Sequence, residues 1–357
     1  MDWLTILLFC VGLVLLILGA DWLVKGSSRI AAAAGVSSLV IGLTVVAFGT
    51  SSPELAVSVQ AAWSGKADMA IGNVVGSNIF NVLFILGASA LITQLVRRDV
   101  PIMIVLSGVL WWLTSDGSVS FLDGVILFAA LVVYTVWIVK VSRRESKEVT
   151  AEYEGEYGTR EARQSPIWSS LALVVGGLAL LVLGSNWLVD GAVAFAHWFG
   201  ISDVVVGLTI VAAGTSLPEV ATSVTAAIRG ERDIAVGNVV GSNIFNIMGV
   251  LGLSGMVAPD GLTMLPSMQG FDVPVMIAVA VACLPIFARG SVIPRWEGAL
   301  FLLYYAAYTI YLVLDATKHE AKDGYATVML EFVLPLTAVT LSVLAFRVLR
   351  NRRAVAS

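Results

Sequence analysis

AFGTSSPELAVSVQAAWSGKADMAIGNVVGSNIFNVLFILG, from Ala47 to Gly87, returns as AAGTSLPEVATSVTAAIRGERDIAVGNVVGSNIFNIMGVLG, from Ala212 to Gly252. The offset is a constant 165 without a gap, and the register continues upstream, where LGADWLVKG at 18–26 lines up with LGSNWLVDG at 183–191. A decapeptide such as GNVVGSNIFN does not recur by chance, so the chain reads as two copies of one unit.

The solvent of that unit follows from composition. The 357 residues are 58% hydrophobic and 13% charged, with a mean hydropathy of +0.91, far from the roughly quarter-charged balance of a water-soluble domain. A bilayer core of about 30 Å takes about 20 helical residues to cross. Apolar runs near that size lie at 3–24, 36–62, 69–92, 99–114, 121–141, 167–190, 202–227, 233–257, 273–289, 297–315 and 326–348, eleven in all. Five spans separate equivalent positions of the two copies. Five is odd, so the second copy runs through the membrane in the opposite sense to the first.

The basic residues give an independent test of the count, because Lys and Arg gather on the cytoplasmic side. With the N-terminus outside, Lys25, Arg29, Arg97, Arg98, Lys140, Arg143, Arg144, Lys147, Arg160, Arg163, Arg229, Arg232, Arg289, Arg295, Arg347, Arg350, Arg352 and Arg353 fall inside, and only Lys66, Lys318 and Lys322 outside. The expectation is an all-α integral protein of the cell (cytoplasmic) membrane, N-terminus outside and C-terminus inside. An inverted-topology repeat of five transmembrane helices each, 1–141 and 167–315, is joined by a cytosolic linker, 142–166, and followed by an extra C-terminal helix and basic tail, 316–357. The linker's mixed charge suits a solvated segment and lacks the spacing of an EF-hand. Asp2 ahead of the first apolar run, with Lys25 and Arg29 behind it, reverses the pattern of a cleavable signal peptide, so that segment is expected to stay in the protein. There is no basic patch of nucleic-acid type, and Cys10 and Cys283, each inside an apolar run, read as small core residues.

Two residues contradict the apolar background. Glu54 and Glu219 occupy equivalent positions deep within spans, where a charge costs roughly 2.5–3.5 kcal/mol on the lenient insertion scale. Their neighbours supply oxygen. Thr50, Ser51 and Ser58 share a helix face with Glu54, and Thr215, Ser216 and Ser223 share one with Glu219. In each following span Asn73, Ser77 and Asn81, or Asn238, Ser242 and Asn246, stand four apart. Pro53 and Pro218 each lack an N–H and clash with the carbonyl four residues back, which frees backbone oxygens near Ala47 to Gly49 and Ala212 to Gly214 to face a cation. Oxygen donors suit hard cations such as Ca2+, whereas soft metals prefer the Cys and His that the motif lacks. Asp68 and Asp233 read as helix N-caps, Asp21 as an interfacial charge, and Gly72, Gly76, Gly237 and Gly241 as packing positions.

The motifs GTSSPE (49–54), GTSLPE (214–219) and GSNIFN (76–81 and 241–246) resemble the cation/calcium exchanger superfamily, in particular sodium/calcium exchangers of prokaryotic type. The resemblance covers both copies and leaves out the last span. It implies that Glu54 and Glu219 bind Ca2+ and Na+ alternately, with Thr50, Ser51, Ser77, Thr215, Ser216 and Ser242 as further oxygen ligands and Ala47 and Ala212 contributing carbonyls. Asn81 and Asn246 match the positions that end the GSxxFN segment. Some relatives, including potassium-dependent exchangers, carry Asp at the second of these, so Asn at both argues against potassium coupling. The function expected is an antiporter, not an enzyme, exporting Ca2+ against inward Na+ by alternating access at a midplane site. Its partners would be those two ions and membrane lipid, with no cofactor and no nucleic acid, and oligomeric state is not readable. The alternatives are a Ca2+/H+ or other divalent-cation antiporter and, from another class, a cation channel or a non-transporting membrane sensor.

Overall fold

The computed structural model describes residues 3–92, 95–96, 100–156, 166–200, 210, 212–283 and 292–336. In chain order the helices are α1 (Trp3–Ala34), α2 (Ser38–Thr50), α3 (Ser52–Trp63), α4 (Ala67–Ile92), α5 (Val100–Leu113), α6 (Phe121–Glu156) and α7 (Ile167–Trp198). After the short turn Ala212–Gly214 come α8 (Leu217–Ile228), α9 (Arg232–Val257), α10 (Met268–Val281), α11 (Arg295–Ala316) and α12 (Ala321–Val328). Six are long and apolar enough to cross a membrane, and the pair α2 and α3, bent by 48°, makes a seventh. The shorter apolar helices Val100–Asp116, Leu217–Ile228 and Met268–Val281 fall on the fourth, seventh and ninth expected spans. Most of the seventh, 202–227, before Ala212 lies outside the described residues, as does 326–348 after Leu336.

Helices α1 and α7, equivalent in the two copies, pack antiparallel. A Cβ on Gly12 would lie 2.8 Å from the Gly184 carbonyl oxygen, and one on Gly19 would lie 2.7 Å from that of Gly177, so position rises along one helix as it falls along the other. Small residues allow this backbone approach where apolar lipid tails provide no hydrophobic drive between helices. Two copies related in this way run in opposite senses.

The same relation holds beyond Gly87 and Gly252, where the sequence match fades. A Cβ on Gly124, near the start of α6, would lie 2.6 Å from the Gly252 carbonyl oxygen, and one on Gly298, near the start of α11, 2.7 Å from the Gly87 carbonyl oxygen. Gly87 and Gly252 are repeat partners, so α6 and α11 are too, with the offset lengthened by the longer connection after α9. Two short antiparallel strand pairs, not expected from the sequence, repeat the exchange. β1 (Leu95–Val96) pairs with β4 (Val292–Ile293), and β2 (Ser118–Val119) with β3 (Leu262–Thr263), so each pair joins one copy to the other.

Residues 142–156 are helical, continuing α6 to Glu156, and 157–165 lie outside the described residues. Two sequence readings are corrected. Asp68 and Asp233 are not N-caps. Lys66 and Glu231 hold those positions, and the two aspartates are the second residue of each helix, in the first turn, where a carboxylate complements the positive end of the helix. Cys283 is buried as expected, but Cys10 is exposed on the outer side of α1.

Candidate functional site

Glu54 and Glu219 are fully buried, each in the first turn of its helix, α3 or α8, behind a break in the chain. Ser51 (φ −82°, ψ 9°) and Ser216 (φ −89°, ψ 8°) are the residues at the breaks. Proline two residues later accounts for the break, since it cannot donate to the preceding turn. Each segment reads S-x-x-E, the local pattern in which a serine and a glutamate cap the same helix start. Neither serine caps its own helix. Ser51 Oγ donates instead to Glu219 Oε1 at 2.8 Å, and Ser216 Oγ to Glu54 Oε1 at 2.8 Å. The capping pairs are exchanged between the copies, and this brings both carboxylates to one place.

The rest of the predicted set gathers around them. Ser216 Oγ also lies 3.2 Å from Ser77 Oγ, and Ser242 Oγ reaches Glu219 Oε1 at 3.5 Å. Asn73 Nδ2 donates to the Glu54 main-chain oxygen at 3.2 Å and to Ser58 Oγ at 2.9 Å; Asn238 repeats this with Glu219 and Ser223 at 3.3 and 2.9 Å. These bonds fix the backbone under each carboxylate. Thr50 Oγ1 donates to Asn238 Oδ1 at 3.0 Å. The equivalent Thr215 hydroxyl finds no partner among the described residues. Asn81 and Asn246 begin matching π-helical segments, Asn81–Leu86 and Asn246–Leu251, a local widening of the helix that is frequent at functional sites.

The backbone prediction holds only in part. The Ala47 carbonyl is not freed by Pro53: it accepts the Ser51 amide at 3.0 Å, with the Thr50 hydroxyl at 3.4 Å. The carbonyl that proline frees is that of Gly49, and Ser52 Oγ donates to it at 2.6 Å. Leu217 replaces Ser52 in the second copy and has no hydroxyl to offer. Ala212 opens the turn that precedes the second break.

Among the buried side-chain oxygens without a hydrogen-bond partner in the described residues are Glu54 Oε2, Glu219 Oε2, Asn81 Oδ1 and Asn246 Oδ1, two repeat-related pairs that can only accept. Leaving a buried acceptor unmet costs roughly 1–3 kcal/mol, more when it is charged. Four such oxygens in repeat-related positions are a demand for positive charge, and the donor set, all oxygen, suits a hard cation.

Two contributors were missed by sequence reasoning. Asn78 and Asn243 are buried and bridge the copies, and Met103 and Met276 lie against their amides. Their signal was present, since both asparagines recur at the same place and stand three residues before Asn81 and Asn246. They lie off the i, i+4 stripe that drew attention to the others. Asp21 ties α1 to the turn after α8, where it pairs with Arg229 as well as with Lys25 at 2.8 Å.

Comparison with known proteins agrees with this architecture. The family model described as sodium/calcium exchanger protein matches residues 4–140 and 169–314. The sodium/calcium exchanger MaX1 of Methanosarcina acetivorans is 34% identical over 344 residues, covering 86% of this chain and 97% of its own length. The inner membrane protein YrbG of Escherichia coli is 37% identical over 285 residues, 78% of this chain and 87% of its own. Among solved structures, the sodium-calcium exchanger NCX_Mj soaked with Na+ and Ca2+ superposes with a TM-score of 0.72 at 35% identity, over 86% of this chain and 97% of the other.

Proposed function

The chain belongs to the sodium/calcium exchanger family, and from that premise we propose that it exports Ca2+ from the cytosol in exchange for inward Na+, by alternating access at the site around Glu54 and Glu219. The observation that carries the reading is the exchanged capping pair. Each carboxylate is bonded through Oε1 to a serine of the opposite copy, and its Oε2 is left for a cation. Ions that bind there touch both halves at once, so their binding energy bears on how the halves sit against each other.

In this reading Glu54 and Glu219 supply the charge, and Thr50, Ser51, Ser77, Thr215, Ser216 and Ser242 supply hydroxyl oxygens. Asn81 and Asn246 add carboxamide oxygens, and Ala47 and Ala212 add backbone oxygens. Two carboxylates balance one divalent ion, or are divided among several Na+ ions that displace it. Burial is what makes exchange obligatory: an empty pair of buried carboxylates is costly to carry across the low-dielectric interior, so the halves move when the charge is met. Asn at both 81 and 246 leaves the site without a third ionisable group, which supports sodium coupling without potassium. The protein is a multi-pass membrane protein; eleven spans with the N-terminus outside, the copies bounded at 1–141 and 167–315, complete the proposal.

The test is calcium uptake into proteoliposomes driven by an outward sodium gradient. Glu54→Gln and Glu219→Gln are each expected to reduce it at least a hundredfold. Uptake driven equally well by a pH gradient without sodium, or unchanged in either variant, would overturn the reading.

A further inference from the structure

Asn78 and Asn243 form a device that decides which end of a neighbouring side chain faces the ions. Asn243 Nδ2 lies 3.3 Å from the Asn78 main-chain oxygen and 3.2 Å from Met103 Sδ. Asn78 Nδ2 lies 3.4 Å from the Asn243 main-chain oxygen and 3.7 Å from Met276 Sδ. Carbonyl oxygens and thioether sulfurs only accept hydrogen bonds. The amide nitrogens of both residues are therefore held toward these groups, because turning either carboxamide over would set oxygen against oxygen and oxygen against sulfur.

The polarity passes outward by one more step. With its nitrogen so held, each amide oxygen points the other way, and there it accepts. Asn81 Nδ2 donates to Asn243 Oδ1 at 2.9 Å, and Asn246 Nδ2 donates to Asn78 Oδ1 at 3.1 Å. Asn81 and Asn246 are thereby compelled to spend their N–H groups on the pair. Their own Oδ1 atoms are buried and without a donor among the described residues.

We infer that Asn78 and Asn243, backed by Met276 and Met103, are positioning residues that make Asn81 and Asn246 present oxygen, not N–H, to the transported cation. A carboxamide is a ligand through oxygen and a repulsive dipole through nitrogen, so its orientation alone changes the sign of its contribution. The arrangement also crosses the repeat: Asn81 is oriented by the second copy and Asn246 by the first. The inference rests on the cation-exchange reading of the site.

The test is a double-mutant cycle in proteoliposomes, joined to cation-induced thermal stabilisation of the detergent-purified protein. Asn243→Leu in the wild-type background should raise the calcium KM about tenfold, with the maximal rate changed less. In an Asn81→Ala background, where no amide is left to orient, Asn243→Leu should change KM less than twofold. Met103→Leu keeps the side-chain volume and removes the sulfur acceptor; it should raise KM two- to threefold, and serves as the probe if Asn243→Leu fails to fold. Equal effects of either substitution in both backgrounds, or no effect on KM in the wild type, would overturn the inference in favour of plain packing. If sodium-driven calcium exchange is absent but another cation raises the melting temperature, the exchange reading fails while the same cycle on that shift still decides the positioning role. No stabilisation by any of Na+, Ca2+ or Sr2+ overturns both.

Discussion

GNVVGSNIFN occurs at 72–81 and at 237–246, and the two identical stretches live in different surroundings. In the second every residue is buried, and a Cβ on Gly241 would lie 2.7 Å from Leu43 Cα, one on Gly237 2.7 Å from the Leu39 carbonyl oxygen. In the first, Gly72, Asn73 and Gly76 are half-buried, and among the described residues a Cβ on Gly76 would meet nothing within 4 Å. The decapeptides are identical, so the difference lies in what surrounds them. The second stretch is clamped against α2, whereas the first keeps part of the surface of Gly72, Asn73 and Gly76 uncovered; most of the second-copy counterpart of α2 lies outside the described residues. For inverted repeats, exchanging the two halves' conformations yields the state open to the opposite side at no new sequence cost.

The strongest way to break this comparison is a methyl group at each glycine. Gly76→Ala meets nothing within 4 Å among the described residues, but in the exchanged state it would stand where Gly241 now stands, against backbone. Turnover should fall more than tenfold while calcium binding and the melting temperature stay within error. Gly241→Ala strains the clamped half directly, by about 1–3 kcal/mol, and should lower the melting temperature by several degrees. Equal behaviour of the two variants would mean that the halves do not exchange. Accessibility sharpens the same point: with Cys10 replaced, Asn73→Cys should react with a water-soluble thiol reagent at least tenfold faster than Asn238→Cys, and Ca2+ should protect it.

The smallest effect is expected at the periphery, where the copies differ in sequence. Asp21 ties α1 to Arg229, whereas the equivalent positions in the other copy are Asn186 and Ser64. Both partners are partly exposed, and such pairs contribute about 0–1 kcal/mol and weaken with salt. Asp21→Asn should therefore shift the half-saturating sodium concentration no more than about threefold at low salt. The shift should vanish in high-salt choline medium. A larger or salt-independent shift would place the asymmetry of the transporter in this ion pair as well as in the conformation.

Much of the site was legible because its chemistry is local. Glu54 with Thr50 and Ser51 share a helix face by spacing alone, and the 165-residue offset doubles every such argument. The repeat beyond Gly87 was not legible, because only close backbone contacts, Gly124 to Gly252 and Gly298 to Gly87, betray it after the connecting segments diverge in length. That the Ala47 carbonyl accepts the Ser51 amide was not legible either, because only the structure shows the helix continuing to the break.

The sequence by itself determined the membrane environment, the duplication, the opposite sense of the two copies and the two carboxylates that burial makes costly. These follow from composition, period and parity, which are properties of the linear chain. Tertiary structure alone decided that Ser51 serves Glu219 and Ser216 serves Glu54, when S-x-x-E permits each serine to serve its own helix. It also decided that Asn78 and Asn243 orient Asn246 and Asn81, and which of two identical stretches is buried throughout. A sequence states which donors and acceptors exist. Which of them meet depends on how two helices approach, and for two copies with the same residues nothing local can break the tie.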